Sequence, residues 1–244
     1  MPKALAALSA VLTLAAAAAQ ATPISLTGPE KNLQQIVDGI SQGGASSVNV
    51  GLDQMIGDTA FQMASGVDKA TSRIVIELAG DAGRNRFGLY DLTDTSNRFE
   101  LFGGADSAGA VSSFSIDADG RVYRNSVDSG LTFASATFGL YLETPNGIWF
   151  SDLVQNSDQT DHMVAFQGKG NTIRQGSSLS TWGPDTYLFG WEDRSDNLAD
   201  HDFNDFVAFV SGIKPVGVPE PGSVGLMGAG LLAVGLFSRR RRRA

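Results

Sequence analysis

Apolar residues in the central part of the chain fall into short runs, broken every few positions by Gly, Asn or Asp. The runs lie at 73–78, 86–90, 98–102, 111–116, 121–125, 137–142, 147–150, 162–166, 186–191 and 206–210. Runs this short, rich in β-branched and aromatic residues and closed by turn residues, predict strands. Their dense spacing predicts an all-β protein, an antiparallel two-sheet sandwich with jelly-roll-like connections. Alternation is incomplete in 74–78 and 138–142, so the pattern does not assign inward and outward faces residue by residue. Leu33, Ile36, Val37 and Ile40 recur at i, i+3, i+4 and i+7, which predicts a short N-terminal helix. The stretch 43–69 carries neither period. Asp117-Ala118-Asp119-Gly120 fits a hairpin turn. It also matches the first half of a calcium loop, but Ser126 stands where the ligand Glu would be. No repeat or linker divides the chain, so one domain is expected over about 24–213.

The two ends have different compositions. Residues 1–21 hold one charge, Lys3, then an apolar run that closes on Ala19-Gln20-Ala21, the small-x-small pattern cut by signal peptidase. A secretory signal is expected at 1–21 and a mature domain at 22–217. At the other end, Val218-Pro219-Glu220-Pro221 precedes an uncharged stretch, Val224 to Phe237, and then Arg239, Arg240, Arg241 and two more arginines. The stretch is shorter than the ~20 residues of an ordinary spanning helix, and the arginines behind it belong on the cytoplasmic side. This segment, 218–244, resembles the PEP-CTERM sorting signal of exported bacterial proteins. The matching residues are Pro219, Glu220 and Pro221, a hydrophobic helix, and the Arg cluster. The resemblance implies cleavage by an exosortase-type membrane enzyme and transient inner-membrane anchoring through 222–237. It also implies a final place at the cell surface or in an exopolysaccharide matrix of a Gram-negative bacterium. An ordinary tail anchor that stays in place is the competing reading.

Composition fits that picture. Charged residues make up 18% of the chain, below the usual ~25%, and 29 glycines suit a turn-rich β protein. With no Cys there is no disulfide framework, thiol chemistry or Cys-ligated metal. Without Lys3, the five arginines at 239–243 and Glu220, 12 Lys and Arg face 25 Asp and Glu, a balance of −13. Nucleic acid is therefore not an expected partner, and divalent cations are.

The acidic residues concentrate in one loop. Glu192, Asp193, Asp196, Asp200, Asp202 and Asp205 fall between two predicted strands. Like charges a few Å apart resist joint ionisation, and a hard divalent ion relieves that cost. Calcium takes six to eight oxygen ligands, which carboxylates and amide or backbone carbonyls in a loop can supply. The candidate ligands are Glu192, Asp193, Asp200, Asp202, Asn204 and Asp205. An extended loop would place Asp200, Asp202 and Asn204 on one face. The spacing is not that of an EF-hand, because Asp205 stands where its Gly is required. A solvated acidic loop without an ion is the alternative.

The same segment resembles a family of exported bacterial domains of unknown function, often carried by PEP-CTERM proteins. Its hallmark is an aromatic-x-aromatic-Glu-Asp run followed by Asp-x-Asp-aromatic-Asn-Asp. The matching residues are Phe189, Trp191, Glu192 and Asp193, then Asp200, Asp202, Phe203, Asn204 and Asp205. Phe87-Gly88-Leu89-Tyr90-Asp91 and Phe138-Gly139-Leu140-Tyr141 fit its strand patterns. The resemblance implies an all-β fold and calcium binding, with no established enzymatic activity.

Catalytic patterns are sparse. The chain has two histidines and no Gly-x-Ser-x-Gly. His201 reads as a loop spacer and His162 as the start of a strand. Carboxylate pairs could hydrolyse glycosides, but their abundance makes that argument weak. Sugar binding through aromatic rings draws on Trp149, Trp182, Trp191 and Tyr187. Gly183-Pro184 places Trp182 in a loop and makes it the candidate stacking residue. The expected protein is an exported, non-catalytic, calcium-binding β-sandwich. A secreted protein that binds or hydrolyses polysaccharide is the alternative.

Overall fold

The computed structural model of the chain describes residues 21–216 apart from 79–82, 176, 177 and 196. The expected signal peptide (save Ala21), the sorting segment with its hydrophobic helix, and Asp196 lie outside the described residues. The N-terminal apolar stripe forms α1 (Leu33–Ile40), with Leu33, Ile36 and Val37 buried. A capping box starts it. The Asn32 side chain accepts from the Gln35 N–H, and the Gln35 side chain accepts from the Asn32 N–H.

Among the described residues fifteen strands follow: β1 (Phe61–Met63), β2 (Ala70–Glu77), β3 (Arg86–Asp91), β4 (Asp94–Phe102), β5 (Val111–Ile116), β6 (Arg121–Arg124), β7 (Val127–Thr132), β8 (Thr137–Thr144), β9 (Gly147–Phe150), β10 (Met163–Gln167), β11 (Asn171–Gln175), β12 (Ser178–Trp182), β13 (Thr186–Trp191), β14 (Phe206–Ser211) and β15 (Ile213–Pro215). Each run predicted from the sequence lies on one of them. The strands that the pattern misses are β1, β7, β11, β12 and β15. Three residues of β1 or β15 are too few to show a period, and β7 is almost wholly exposed. No apolar face marks such strands out.

The strands form two large antiparallel sheets. A six-stranded sheet runs β15-β1-β8-β3-β4 with β9 beside β8, and a seven-stranded sheet runs β10-β13-β14-β2-β5-β6-β7. Rings from the two sheets meet between them: Phe61 with Phe189 at 5.3 Å, Phe87 with Phe206 at 5.2 Å, and Phe114 with Phe138 at 5.6 Å between centroids. The first and third of these pairs are edge-to-face, an arrangement that adds about 0.5–1.5 kcal/mol each beyond the buried area. The seven-stranded sheet is also covered outside. Val164, Phe166, Leu188, Val207 and Phe209 pack against Leu33, Ile36 and Val37 of α1 and against Ile173 and Trp182 of the β11–β12 ribbon. A smaller cluster of Tyr90, Tyr141 and Phe150 covers part of the other sheet. Strands buried on both faces cannot alternate, and this explains the incomplete pattern in 138–142.

Trp182 is corrected by this layer. It closes β12 instead of standing in the loop after it, it is fully buried, and its ring meets Phe209 edge-on at 5.0 Å. Its Nε1–H donates to the Thr186 carbonyl at 3.0 Å. It cannot stack on a sugar without unfolding its corner of the domain. Trp149, Trp191 and Tyr187 are buried as well. The 117–120 segment forms the predicted turn between β5 and β6. Asp117 Oδ1 accepts from the Asp119 and Arg121 N–H groups, and Gly120 has φ +83°. A Cβ on Gly120 would lie 2.1 Å from the Phe133 carbonyl oxygen, so only Gly fits.

His162 ends the loop before β10, buried and stacked on Trp149 at 3.9 Å, with Nε2 3.0 Å from Asp158 Oδ2. Beside it lies a strained pair. Asp58 is buried with Oδ2 unpartnered, and burial, aided by the neighbouring Asp161 charge, pushes its carboxyl up to about 8. The folded state therefore holds a proton that the unfolded chain releases near pH 4. The stability linked to this group is full below about pH 4 and is lost as pH rises towards and through about 8. Urea unfolding of the wild type should show stability falling across that window, and Asp58→Asn should flatten the slope. An equal slope in the variant would show that Asp58 is not the group responsible.

Candidate metal centre

The pairing of β13 with β14 sets Trp191 opposite Phe206, so the chain leaving one strand and the chain entering the next start as neighbours. The loop 192–205 spans that end of the seven-stranded sheet. The Glu192 N–H donates to the His162 carbonyl at 3.0 Å, which carries the β10–β13 ladder one residue further. The Asp193 N–H donates to Asp205 Oδ2 at 3.0 Å and ties the two ends of the loop together.

Phe203 anchors the middle. Its side chain is fully buried among Leu33, Leu188 and Val207 in the layer beneath α1. Its N–H donates to Glu192 Oε1 at 2.6 Å, and its carbonyl presses on Gly190, where a Cβ would come within 2.5 Å of the oxygen. His201 and Phe203 both have left-handed backbones, φ +59° and +54°. Such residues cost about 1–3 kcal/mol each, and burial of the Phe203 ring returns about 1.5–3 kcal/mol. The His201 carbonyl is held by the Ser25 N–H at 2.6 Å. The loop is therefore not extended. Asp200 is exposed while Asp202 and Asn204 are buried, and these side chains meet through left-handed turns instead of the strand alternation expected.

These reversals bring Glu192, Asp200 and Asp202 together, with one carboxylate oxygen from each lying within 4.8 Å of the others. Glu192 Oε2 is buried and unpartnered. Asn204 braces the group: its Nδ2 donates to Asp202 Oδ2 at 2.5 Å and to the Lys31 carbonyl at 2.9 Å, and its N–H donates to Asp202 Oδ1 at 3.1 Å. Burial first, and mutual repulsion after it, pushes the carboxyl of Glu192 up to about 8, of Asp205 to about 7 and of Asp202 to about 6. A cavity of about 190 Å³ opens onto the cluster, with Glu30 and Leu198 on its walls and no aromatic ring among its described lining residues. His201 is exposed in the loop, as a spacer would be.

Asp193 lines the same cavity without joining the three-carboxylate convergence, and its side chain also reaches the segment before β3. There Asn85 Nδ2 lies 3.5 Å from Asp193 Oδ2, the Thr144 hydroxyl donates to the Asp193 carbonyl at 3.1 Å, and Arg194 Nε stands 3.7 Å from Asp193 Oδ1. Glu77, at the end of β2, has its carboxyl raised by burial, with the Asp193 charge also acting to raise it. Sequence reasoning missed Glu77, Asn85 and Thr144. Each ends or precedes a strand more than forty residues from the motif, and only the sheet register brings them in.

Fold and site together define an all-β sandwich with an acidic, oxygen-rich cluster at one end. The family described as "Domain of unknown function (DUF4114)" matches residues 114–212, from β5 to the end of β14, and so includes the whole acidic loop. The PEP-CTERM protein-sorting motif matches residues 217–243. No curated protein matches the chain. The chain thus carries a sorting motif that directs export to the cell envelope or surface and is recognised by exosortase-type processing enzymes.

Gly190→Ala should force the Phe203 carbonyl away and destabilise the domain by about 1–3 kcal/mol in urea unfolding. Unchanged stability would show that the loop does not lean on this contact.

Proposed function

We propose that this domain is a non-catalytic, calcium-binding module that functions at the cell surface or in an exopolysaccharide matrix after its C-terminal signal is processed. One observation carries the reading: Glu192, Asp200 and Asp202 converge on a common point, and the buried Glu192 oxygen there has no partner. An unpaired buried carboxylate is costly, and a cation that accepts several oxygens removes the cost. The donor set is all oxygen, which favours a hard ion such as calcium over zinc. Transient anchoring through 222–237 fits the sorting motif, with release by the processing enzyme.

Raised carboxyls also mark acid catalysts. Here the cavity is smaller than the roughly 300–1,000 Å³ usual for ligand clefts. Its described lining residues offer no ring for a sugar to stack on, and the candidate stacking residue Trp182 is in the core. These features favour an ion over a polysaccharide chain. An acidic mature surface, with a balance of −13, also suits cross-bridging to anionic polymers through shared calcium.

Thermal unfolding of the purified protein tests the proposal. Calcium at about 100 times its Kd should add about 2.7 kcal/mol, a rise in Tm of several degrees. The double variant Asp200→Asn, Asp202→Asn should lose that rise. In chelator it should be more stable than the wild type, because two repelling charges are gone. No calcium-dependent shift in the wild type would sink the reading and leave a solvated acidic loop.

A further inference from the structure

We infer that Thr22, the residue that signal peptidase makes first, docks its α-ammonium group against the acid pair Asp58 and Asp161, so that export processing completes the fold. The inference stands apart from the calcium reading. The expected cut after Ala19-Gln20-Ala21 leaves Thr22 at the head of the exported chain. That residue is already in place: its hydroxyl donates to Asp161 Oδ2 at 2.5 Å. Three bonds separate Oγ1 from the Thr22 nitrogen, which puts that nitrogen within about 4 Å of the hydroxyl and within about 6 Å of the Asp161 oxygen. Opposite charges at that range favour the ionised form of both groups. The residues behind Thr22 are held as well. Ile24 packs against the layer beneath α1, and the Ser25 N–H donates to the His201 carbonyl at 2.6 Å.

The acid pair lacks a cation. Asp58 is only 9% exposed, it feels the Asp161 charge, and its Oδ2 is buried with no partner. Among the described residues no Lys or Arg pairs with Asp58 or Asp161. The other titratable groups facing the pair are His162, beside Asp161, and Asp158, which lies 3.0 Å from His162 Nε2. A buried carboxyl oxygen without a donor is costly, and buried polar atoms find partners in all but a small share of cases. Burial raises both carboxyls, and Asp58 keeps its proton up to about 8, which leaves Asp161 as the charge to be matched. One ammonium matches it and brings further N–H donors for Asp58 Oδ2. In the precursor the same nitrogen is a peptide amide, with one donor and no charge. Hydrolysis of the Ala21–Thr22 bond consumes one water, leaves a carboxylate on Ala21 and an ammonium on Thr22, and so supplies the missing cation.

Exported protein recovered with its own N-terminus, and kept in chelator so that calcium plays no part, tests this. N-terminal sequencing should read Thr22 first. Labelling of the α-amine by an acylating reagent, followed against pH by peptide mass spectrometry, should give a pKa above about 9 instead of the ordinary ~7.7–8.0, because the Asp161 charge holds its proton. Asp161→Asn, which keeps an acceptor for the Thr22 hydroxyl, should return the amine to the ordinary range. Acetylating the amines at pH 7 should lower the Tm of the wild type by a few degrees more than that of Asp161→Asn, a comparison that cancels the effect of modified lysines. An ordinary α-amine in the wild type would overturn the docking without any variant. A mature chain that starts at another residue would overturn the assignment of Thr22.

Discussion

Phe203 is buried while its sequence neighbours carry the polar groups of the loop, and the arrangement of the acidic end follows from that conflict. Burying the ring under α1 requires the chain to dive into the core between Asp202 and Asn204, which the left-handed backbones at His201 and Phe203 allow. The dive leaves the Phe203 N–H pointing at Glu192, whose Oε1 accepts it. Hydrophobic burial thus supplies the free energy that holds repelling carboxylates in one place. Removing the ring would release the loop to solvent, where the charges would separate.

The third layer is what makes this possible. An ordinary sandwich leaves the outer face of each sheet in water, and a loop crossing such a face would have nothing to anchor it. Here α1 and the β11–β12 ribbon cover the seven-stranded sheet, with Trp182 filling the space against Phe209. The N-terminal segment, which no family match covers, is therefore part of the site's foundation: Leu33 touches the Gly190–Phe203 contact, and the Lys31 carbonyl holds Asn204.

Local signals were legible in the sequence. The helix showed its period. Strands β13 and β14 showed as apolar runs, and the acidic loop showed in composition. The signals that failed were those of tertiary origin. Edge strand β7 carries a solvated Val-Asp-Ser-Gly pattern, and the pairing of the β11–β12 ribbon depends on a sheet face that the local sequence does not reveal. Trp182 was misread because Gly183-Pro184 announces a turn but does not say on which side of it the ring lies. The convergence of Asp200 with Asp202 depends on two non-Gly residues adopting positive φ, which propensity argues against. Glu77 and Asn85 enter only through the β2–β14 register and the start of β3.

The distribution of strain gives the acidic end its direction of change. The apolar interior, with its T-shaped ring pairs, is satisfied without any ligand. Many of the buried unpartnered oxygens, in contrast, sit at or beside the acidic end: Glu77 Oε1, Asn85 Oδ1 and Glu192 Oε2. The sheets are held by contacts that need no ligand, so the strain of repelling carboxylates is confined to the acidic end and does not spread into the core.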